Sequence, residues 1–215
     1  MIEALPGWNR ISLNLPGRAG ADGPPLETVA SMAAYVRSVA RAVVDGPYVL
    51  VGYSLGGAVA LEQAMIGDDR LIGLVLIATG ARLRVDPTMV RLYELACDAG
   101  GASPALPAGV FEDDADPTLI AEASECGTLT PAETAAVDWG ACDGFDRMNE
   151  IGRIEVPALI VGGSDDVLAP AKFSEFLATG ILESELHILE GAGHMMVMER
   201  AKEIAPLIAS FVSRL

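Results

Sequence analysis

One short apolar run that passes straight into a glycine-bounded turn constrains the fold most. Residues 48–51 (YVLV) are followed at once by Gly52-Tyr53-Ser54-Leu55-Gly56, and then by residues 57–66, which are mostly small and apolar. A fully apolar run of this length is typical of a strand buried on both faces of a parallel sheet. The segment therefore predicts a strand, a tight turn and a helix in direct succession.

The same alternation extends along most of the chain. Helical patterns predict helices over residues 26–44, 57–66, 171–178 and 198–212. Short apolar runs predict five strands, at residues 11–15, 48–51, 74–77, 158–161 and 186–189. This alternation indicates an α/β fold, with a mainly parallel sheet of about five strands flanked by helices. Residues 1–80 and 155–215 form the predicted core, and residues 81–154, where the alternation breaks, form a predicted helical cap insertion.

Composition excludes several classes of partner and site. The chain has 30 Asp and Glu against 14 Lys and Arg, a formal net charge of −16. Such a field repels nucleic-acid phosphates and anionic lipid, so neither nucleic acid nor a membrane is an expected partner. Three widely spaced cysteines, Cys97, Cys126 and Cys142, favour neither a zinc site nor a disulfide framework. The start lacks a signal-peptide pattern and no apolar run is long enough to span a membrane, so we expect a cytoplasmic protein.

Ser54 is the candidate nucleophile. It lies at the centre of a Gly-x-Ser-x-Gly pattern, between a predicted strand and a predicted helix. That context is typical of a nucleophile elbow, in which a sharp turn exposes the serine at the end of a sheet. The backbone N–H of Leu55, at the start of the helix, would then face a developing oxyanion. The alternative is an ordinary glycine-rich turn between a strand and a helix.

A serine needs a base, and the base needs a carboxylate to orient it. The chain has two histidines. His187 falls inside a predicted strand, whereas His194 follows the end of that strand in the loop Gly-Ala-Gly-His, which favours His194 as the base. Asp165 and Asp166 both follow the predicted strand 158–161, and the pattern does not choose between them. The order serine, aspartate, histidine, each after a separate strand, is that of one class of hydrolases.

Four segments carry a family resemblance: LNLPGRAGAD, VGYSLGG, VPALIVGGSDDVLAP and LHILEGAGHMMVMER. They resemble the α/β-hydrolase superfamily, specifically its small esterase-like members with a helical cap. The resemblance implies a carboxylesterase-like serine hydrolase with a Ser-Asp-His triad and no metal or organic cofactor. It selects Asp166 over Asp165, and His194, as the partners of Ser54. Glu199 matches a glutamate of the family pattern, and we interpret it as structural.

The chain also departs from the family. Arg18 stands where the family often has histidine, and Asn14 where it often has aspartate. The family's N-terminal strand and loop, which supply a second oxyanion N–H, have no counterpart. The Leu55 N–H is then the one oxyanion donor identified. Either another group supplies the second donor, for which the loop 16–21 is a candidate, or activity is weak, or the sequence is a truncated hydrolase. The strand 11–15 would pair with the strand 48–51, lie as an exposed edge, or pair with a strand of another chain. Because an uncovered strand edge favours association, we expect a homodimer or larger assembly through this N-terminal edge strand.

The expected substrate is a small, fairly apolar ester. Tyr53 beside the nucleophile, and Trp139, Phe145 and Met148 in the insertion, are candidate substrate-binding residues. The apolar residues of the insertion fit a core of its own equally well. Acyl transfer, peroxide-dependent acyl chemistry and carbon–carbon bond hydrolysis use the same triad. A further alternative is a catalytically weak member of the fold that binds a small molecule or a partner protein.

Overall fold

The computed structural model describes residues 7–18, 20–99, 104 and 106–215. Four strands and eight α-helices lie in the described chain, with a short 3₁₀ helix at Ile151–Arg153. The strands are β1 (Tyr48–Tyr53), β2 (Leu71–Ile77), β3 (Ala158–Gly163) and β4 (Ser184–Leu189). The helices are α1 (Val29–Val43), α2 (Leu55–Ile66), α3 (Pro87–Asp98), α4 (Pro117–Thr128), α5 (Ala132–Asp143), α6 (Ala171–Gly180), α7 (Met196–Glu199) and α8 (Ala201–Val212).

The four strands form one parallel sheet in the order β1-β2-β3-β4. Every residue of β3 is buried, as its uninterrupted apolar sequence predicts. Because all the strands run in the same direction, their carboxyl ends meet at one edge of the sheet, where an α/β protein places its reactive loops. The predicted α/β architecture with a mainly parallel sheet is therefore confirmed, with four strands in the described residues.

The predicted strand at residues 11–15 is wrong. No strand forms there, and the Ile11 side chain is 53% exposed. A strand needs a neighbour to satisfy its backbone hydrogen bonds, and no described strand pairs with this segment. Leu15 packs against the main core, and the chain then turns at Gly17, with φ +81. The strand through which the predicted association would occur is therefore not formed at residues 11–15 in this structure.

Helices cover both faces of the sheet and bury two apolar clusters. The larger cluster joins α1 and α2 to one face, with Met32 and Leu61 completely buried. The smaller cluster lies on the other face, where α8 contributes Ile204, Ile208 and Phe211. Helix α1 begins at a capping box, in which the Thr28 and Ser31 side chains bond reciprocally to each other's backbone N–H.

Helices α3, α4 and α5 lie between β2 and β3. Asp86 and Asp116 cap α3 and α4, each followed by proline at the first helical position. An antiparallel bridge between Arg82 and Asp146 joins the two ends of this insertion. The sequence pattern indicates helical pieces at residues 89–96 and 117–123, which lie within α3 and α4, but none at α5. In the part of the chain that the structure describes, no helix is long and apolar enough to cross a membrane.

Candidate active site

Ser54 occupies a strained turn between β1 and α2. Its backbone has φ 52 and ψ −120, a region that a residue other than glycine seldom adopts. The turn is anchored by a 2.9 Å hydrogen bond from the Ser54 N–H to the Ile77 carbonyl on β2. A Cβ at Gly52 would overlap the Gly56 carbonyl, whereas a Cβ at Gly56 would meet no atom within 4 Å. Close packing therefore requires glycine at position 52, whereas position 56 has room for a side chain.

His194 lies between Ser54 and Asp166 at hydrogen-bond distance from both. Its Nε2 is 3.0 Å from the Ser54 Oγ, and its Nδ1 is 2.8 and 3.0 Å from the two carboxylate oxygens of Asp166. An ionised carboxylate only accepts, so Nδ1 carries the proton and Nε2 is left to accept from the serine hydroxyl. This is the tautomer that a general base requires.

Asp166, and not Asp165, is the partner of the histidine. Asp166 is 4% exposed, and its Oδ1 also accepts the backbone N–H groups of Leu168 and Ala169, at 2.9 and 2.8 Å. Asp165 is exposed and accepts a hydrogen bond from Ser164. Two carboxylates that the residue pattern could not separate therefore have different surroundings.

The backbone N–H of Leu55 lies at the start of α2, next to the serine. The N–H groups of Gly57 and Ala58 donate to the Ser54 carbonyl, while that of Leu55 makes no hydrogen bond within the described residues. The first N–H groups of a helix lack partners inside the helix, so this one is available to an anion. The role of this N–H as oxyanion donor stays a prediction.

The loop at residues 16–21, considered as a source of the second donor, is fastened to α5. Arg18 pairs with both carboxylate oxygens of Asp138 at 2.5 Å, and Thr134 donates to the Gly17 carbonyl at 2.7 Å. Burial raises the pKa of Asp138, and the Arg18 guanidinium opposes that rise. Ala19 lies outside the described residues.

The four candidate substrate-binding residues lie in different places. Tyr53 contacts His194, with its hydroxyl donating to the His194 backbone carbonyl. Trp139 packs on Tyr93 of α3, with ring centroids 5.9 Å apart. Phe145 is 4% exposed within the main core and has little surface left for a ligand. Met148 is half-buried against the same core and also lines a cavity at the surface.

A segment of the insertion packs on the histidine loop, and sequence reasoning did not find it. We call residues 110–112 the strap. The Met195 N–H donates to the Val110 carbonyl at 2.9 Å, and the Glu112 N–H donates to the Glu199 carboxylate at 3.1 Å. The Glu112 side chain forms two hydrogen bonds to Arg200, at 2.5 and 2.8 Å. The partners are 87 and 88 residues apart, and no local pattern signals such a contact.

Glu199 and His187 make their hydrogen bonds outside the triad. One Glu199 oxygen accepts from the strap, and burial, as the largest cause, raises the pKa of this carboxyl. His187 lies on β4 and bonds to Glu185 at 2.7 Å. Among the described residues, no three His, Cys, Asp or Glu side chains are grouped so that they could hold a metal.

Comparison with known proteins places these features in context. The sequence model of the Alpha/beta hydrolase family matches residues 3–207. A pimeloyl-[acyl-carrier protein] methyl ester esterase of Neisseria meningitidis is 29% identical over 236 aligned positions, covering 99% of this chain and 86% of that protein. A poly(3-hydroxyalkanoate) depolymerase of Ectopseudomonas oleovorans is 27% identical, covering 99% and 78%. The solved structure of a thermophilic esterase superimposes with a TM-score of 0.79 at 29% identity, covering 94% of this chain and 79% of that one.

Proposed function

The chain belongs to the alpha/beta hydrolase family, and from that premise we propose that it is a serine hydrolase that cleaves small carboxylic esters through an acyl-enzyme on Ser54. One observation carries the proposal: the unbroken series of hydrogen bonds from Asp166 through His194 to Ser54. Two of the similar proteins have esterase in their names, which supports ester cleavage over the other reactions of this triad.

The reaction proceeds in two halves. His194 Nε2 takes the hydroxyl proton as the Ser54 Oγ attacks the acyl carbon, and the Leu55 N–H stabilises the oxyanion that forms. The tetrahedral intermediate collapses, the alcohol leaves with the proton from Nε2, and an acyl-serine remains. Water then attacks the acyl carbon, again giving its proton to Nε2. Collapse of the second intermediate returns that proton to Ser54 and releases the acid.

We propose that the insertion at residues 81–154 is a cap over this edge of the sheet and that the substrate is small and mainly apolar. The insertion exposes several large apolar side chains, namely Leu92, Leu95, Leu106, Ile120 and Leu129. On a cap over the site, side chains of this kind would contact an apolar ester.

The test is hydrolysis of a short p-nitrophenyl ester by the wild type, Ser54→Ala and Ser184→Ala. Ser184 lies on β4, where its hydroxyl bonds to the backbone of residues 178 and 181, so its loss is a matched control. We expect Ser54→Ala to lose hydrolysis by a factor on the order of 10³ or more, and Ser184→Ala to keep it. A fluorophosphonate should label Ser54, as peptide mass spectrometry would show. Equal activity in all three proteins would refute the proposal.

One observation favours a second candidate, a weakly active member of the fold that binds a small molecule. Leu55 supplies one oxyanion donor, and loss of a single donor in such a site costs on the order of a hundredfold in turnover. Rapid labelling of Ser54 by the fluorophosphonate, combined with very slow turnover of every ester, would support this candidate.

A further inference from the structure

Tyr53 connects the strand that carries Ser54 to the loop that carries His194. Its hydroxyl donates a hydrogen bond to the backbone carbonyl of His194 at 3.0 Å and lies 3.4 Å from the sulfur of Met195. The ring centroids of Tyr53 and His194 are 5.2 Å apart, and the ring planes are tilted by 38°. The residue next to the nucleophile therefore contacts both the backbone and the ring of the histidine.

We propose that Tyr53 is a positioning residue, whose hydroxyl and ring hold His194 at hydrogen-bond distance from Ser54. The proposal rests on the proposed function, because it gives Tyr53 a part in the same hydrolytic site. The sequence suggests substrate binding for the same residue, and the experiment below separates the two roles.

The histidine loop needs support of this kind. Gly191, with φ +73, and Gly193 precede His194, and glycine leaves a backbone with more freedom than any other residue. Asp166 holds the imidazole through Nδ1, but that contact does not fix the main chain. The strap accepts a hydrogen bond from the Met195 N–H and so holds the backbone at that residue. The Tyr53 hydroxyl bonds to the carbonyl of His194 itself, so these two contacts hold the loop at successive residues.

The hydroxyl also stays in the form that this role requires. Burial, followed by the nearby carboxylates of Asp166 and Glu199, raises the pKa of Tyr53 above its ordinary range. The Tyr53 hydroxyl therefore keeps its proton throughout the neutral pH range in which a histidine acts as a base. Small movements matter at this point, because a misplacement on the order of 1 Å at a reacting group can cost about a hundredfold in rate.

The experiment compares three variants. Tyr53→Phe removes the hydroxyl and keeps the ring, and Tyr53→Leu removes both. Tyr48→Phe is the matched control, because it removes a hydroxyl from the other end of β1, where Gln63 donates to it at 2.6 Å. The measurements are kcat and KM for a p-nitrophenyl ester, thermal unfolding, and the proton NMR resonance of the hydrogen bond between His194 Nδ1 and Asp166.

We expect kcat to fall about tenfold in Tyr53→Phe and further in Tyr53→Leu, with KM within about twofold of the wild type. The Nδ1 proton resonance should broaden in Tyr53→Phe. Tyr48→Phe should match the wild type in kcat and in this resonance. If Tyr53→Leu does not fold, Tyr53→Phe, which lacks a single heavy atom, still decides the question.

Two results would overturn the proposal. A raised KM with unchanged kcat in Tyr53→Phe would assign the hydroxyl to substrate binding. Wild-type kinetics and an unchanged resonance in Tyr53→Phe would remove any positioning role. If the wild-type protein cleaves no ester, the proposed function fails, but the resonance still tests the positioning: broadening in Tyr53→Phe alone supports it, and equal spectra refute it.

Discussion

Asp165 and Asp166 show how strongly two adjacent carboxylates can differ. Asp166 is buried, bonds to His194 and accepts two backbone N–H groups, whereas Asp165 is exposed beside Ser164. A buried carboxylate is stable as an anion only when donors of this kind surround it. These surroundings fit Asp166 for stabilising the imidazolium that forms when His194 takes a proton.

The two aspartates provide a matched pair of variants. We expect Asp166→Asn to lower kcat by a factor on the order of 10³–10⁴, because an amide does not hold the imidazole in the productive tautomer. Asp165→Asn should change kcat by less than about twofold. Steady-state kinetics on one p-nitrophenyl ester checks both. Equal losses in the two variants would mean that the loop, and not the individual carboxylate, matters.

At the scale of elements, the strap couples the insertion to the histidine loop. A Cβ at Gly193 would come within 2.8 Å of the Val110 carbonyl, so the two segments pack closely. Glu112 and Arg200 form the charged part of the contact, with side chains 13% and 32% exposed. Residues far along the chain from the triad therefore help to fix the backbone on which the base is carried.

Weakening the strap should lower activity. We expect Glu112→Gln to reduce kcat by about threefold to tenfold and to lower the melting temperature by a few degrees, because the two-pronged ion pair with Arg200 is lost. Asp113→Asn, a change at an exposed neighbour, should alter neither. Kinetics and thermal melts of both variants test this, and an unaffected Glu112→Gln would show that the backbone bonds suffice.

The cysteines of two helices in the insertion should react with a thiol reagent under different conditions. Burial, with Asp138 and Asp143 adding to it, raises the pKa of Cys142 in α5 to about 12, whereas Cys126 in α4 is exposed. The thiolate is the reactive form, so at pH 8 iodoacetamide should modify Cys126 rapidly and Cys142 only when the protein unfolds. Mass spectrometry with and without urea measures this. Rapid labelling of native Cys142 would show that α5 opens locally.

Elements with a strong local pattern were predictable from the sequence, and those that depend on distant partners were not. β1 to β4 lie within three residues of their predicted bounds, because each contains a short, mainly apolar run, which in β3 is buried throughout. Residues 11–15 have a similar pattern but no neighbour to pair with. Helix α5 mixes small, polar and apolar residues and shows no clear period. The positions of Ser54, Asp166 and His194 could be inferred because each follows its own strand, whereas the strap and the Tyr53 contact arise only on folding.

For the whole molecule, the distribution of charge is uneven. Residues 92–146 contain 12 Asp and Glu and no Lys, Arg or His. Four of these acids form ion pairs with arginines outside the segment, namely Glu94 with Arg91, Glu112 with Arg200, Asp138 with Arg18 and Asp146 with Arg82. The proposed cap, residues 81–154, therefore holds 14 Asp and Glu against 5 Arg, a net charge of −9 out of the −16 of the whole chain.

This charge should discriminate between substrates. For two acetate esters whose alcohol part carries either a trimethylammonium or a sulfonate group, we expect kcat/KM to favour the cation by about tenfold at low ionic strength. The ratio should approach one in 0.5 M salt, because the screening length then falls to about 4 Å. A neutral ester serves as the reference. A ratio that does not respond to salt would mean that local contacts, not the field, select the substrate.

Association of the chain stays a prediction. The edge strand expected at residues 11–15 does not form, and β1 pairs with β2 alone among the described strands. Light scattering of the purified protein checks the prediction directly, and a monomer mass would refute it.

The hydrogen bond between His194 and Ser54 spans 140 residues of sequence, and β2, β3 and most of the helices lie inside that span. In kinetic terms this is a contact of high sequence separation, and a refolding chain closes such loops late. Ester hydrolysis should therefore return only after the parallel sheet has assembled from β1 to β4, and its recovery would time the end of folding and not its beginning.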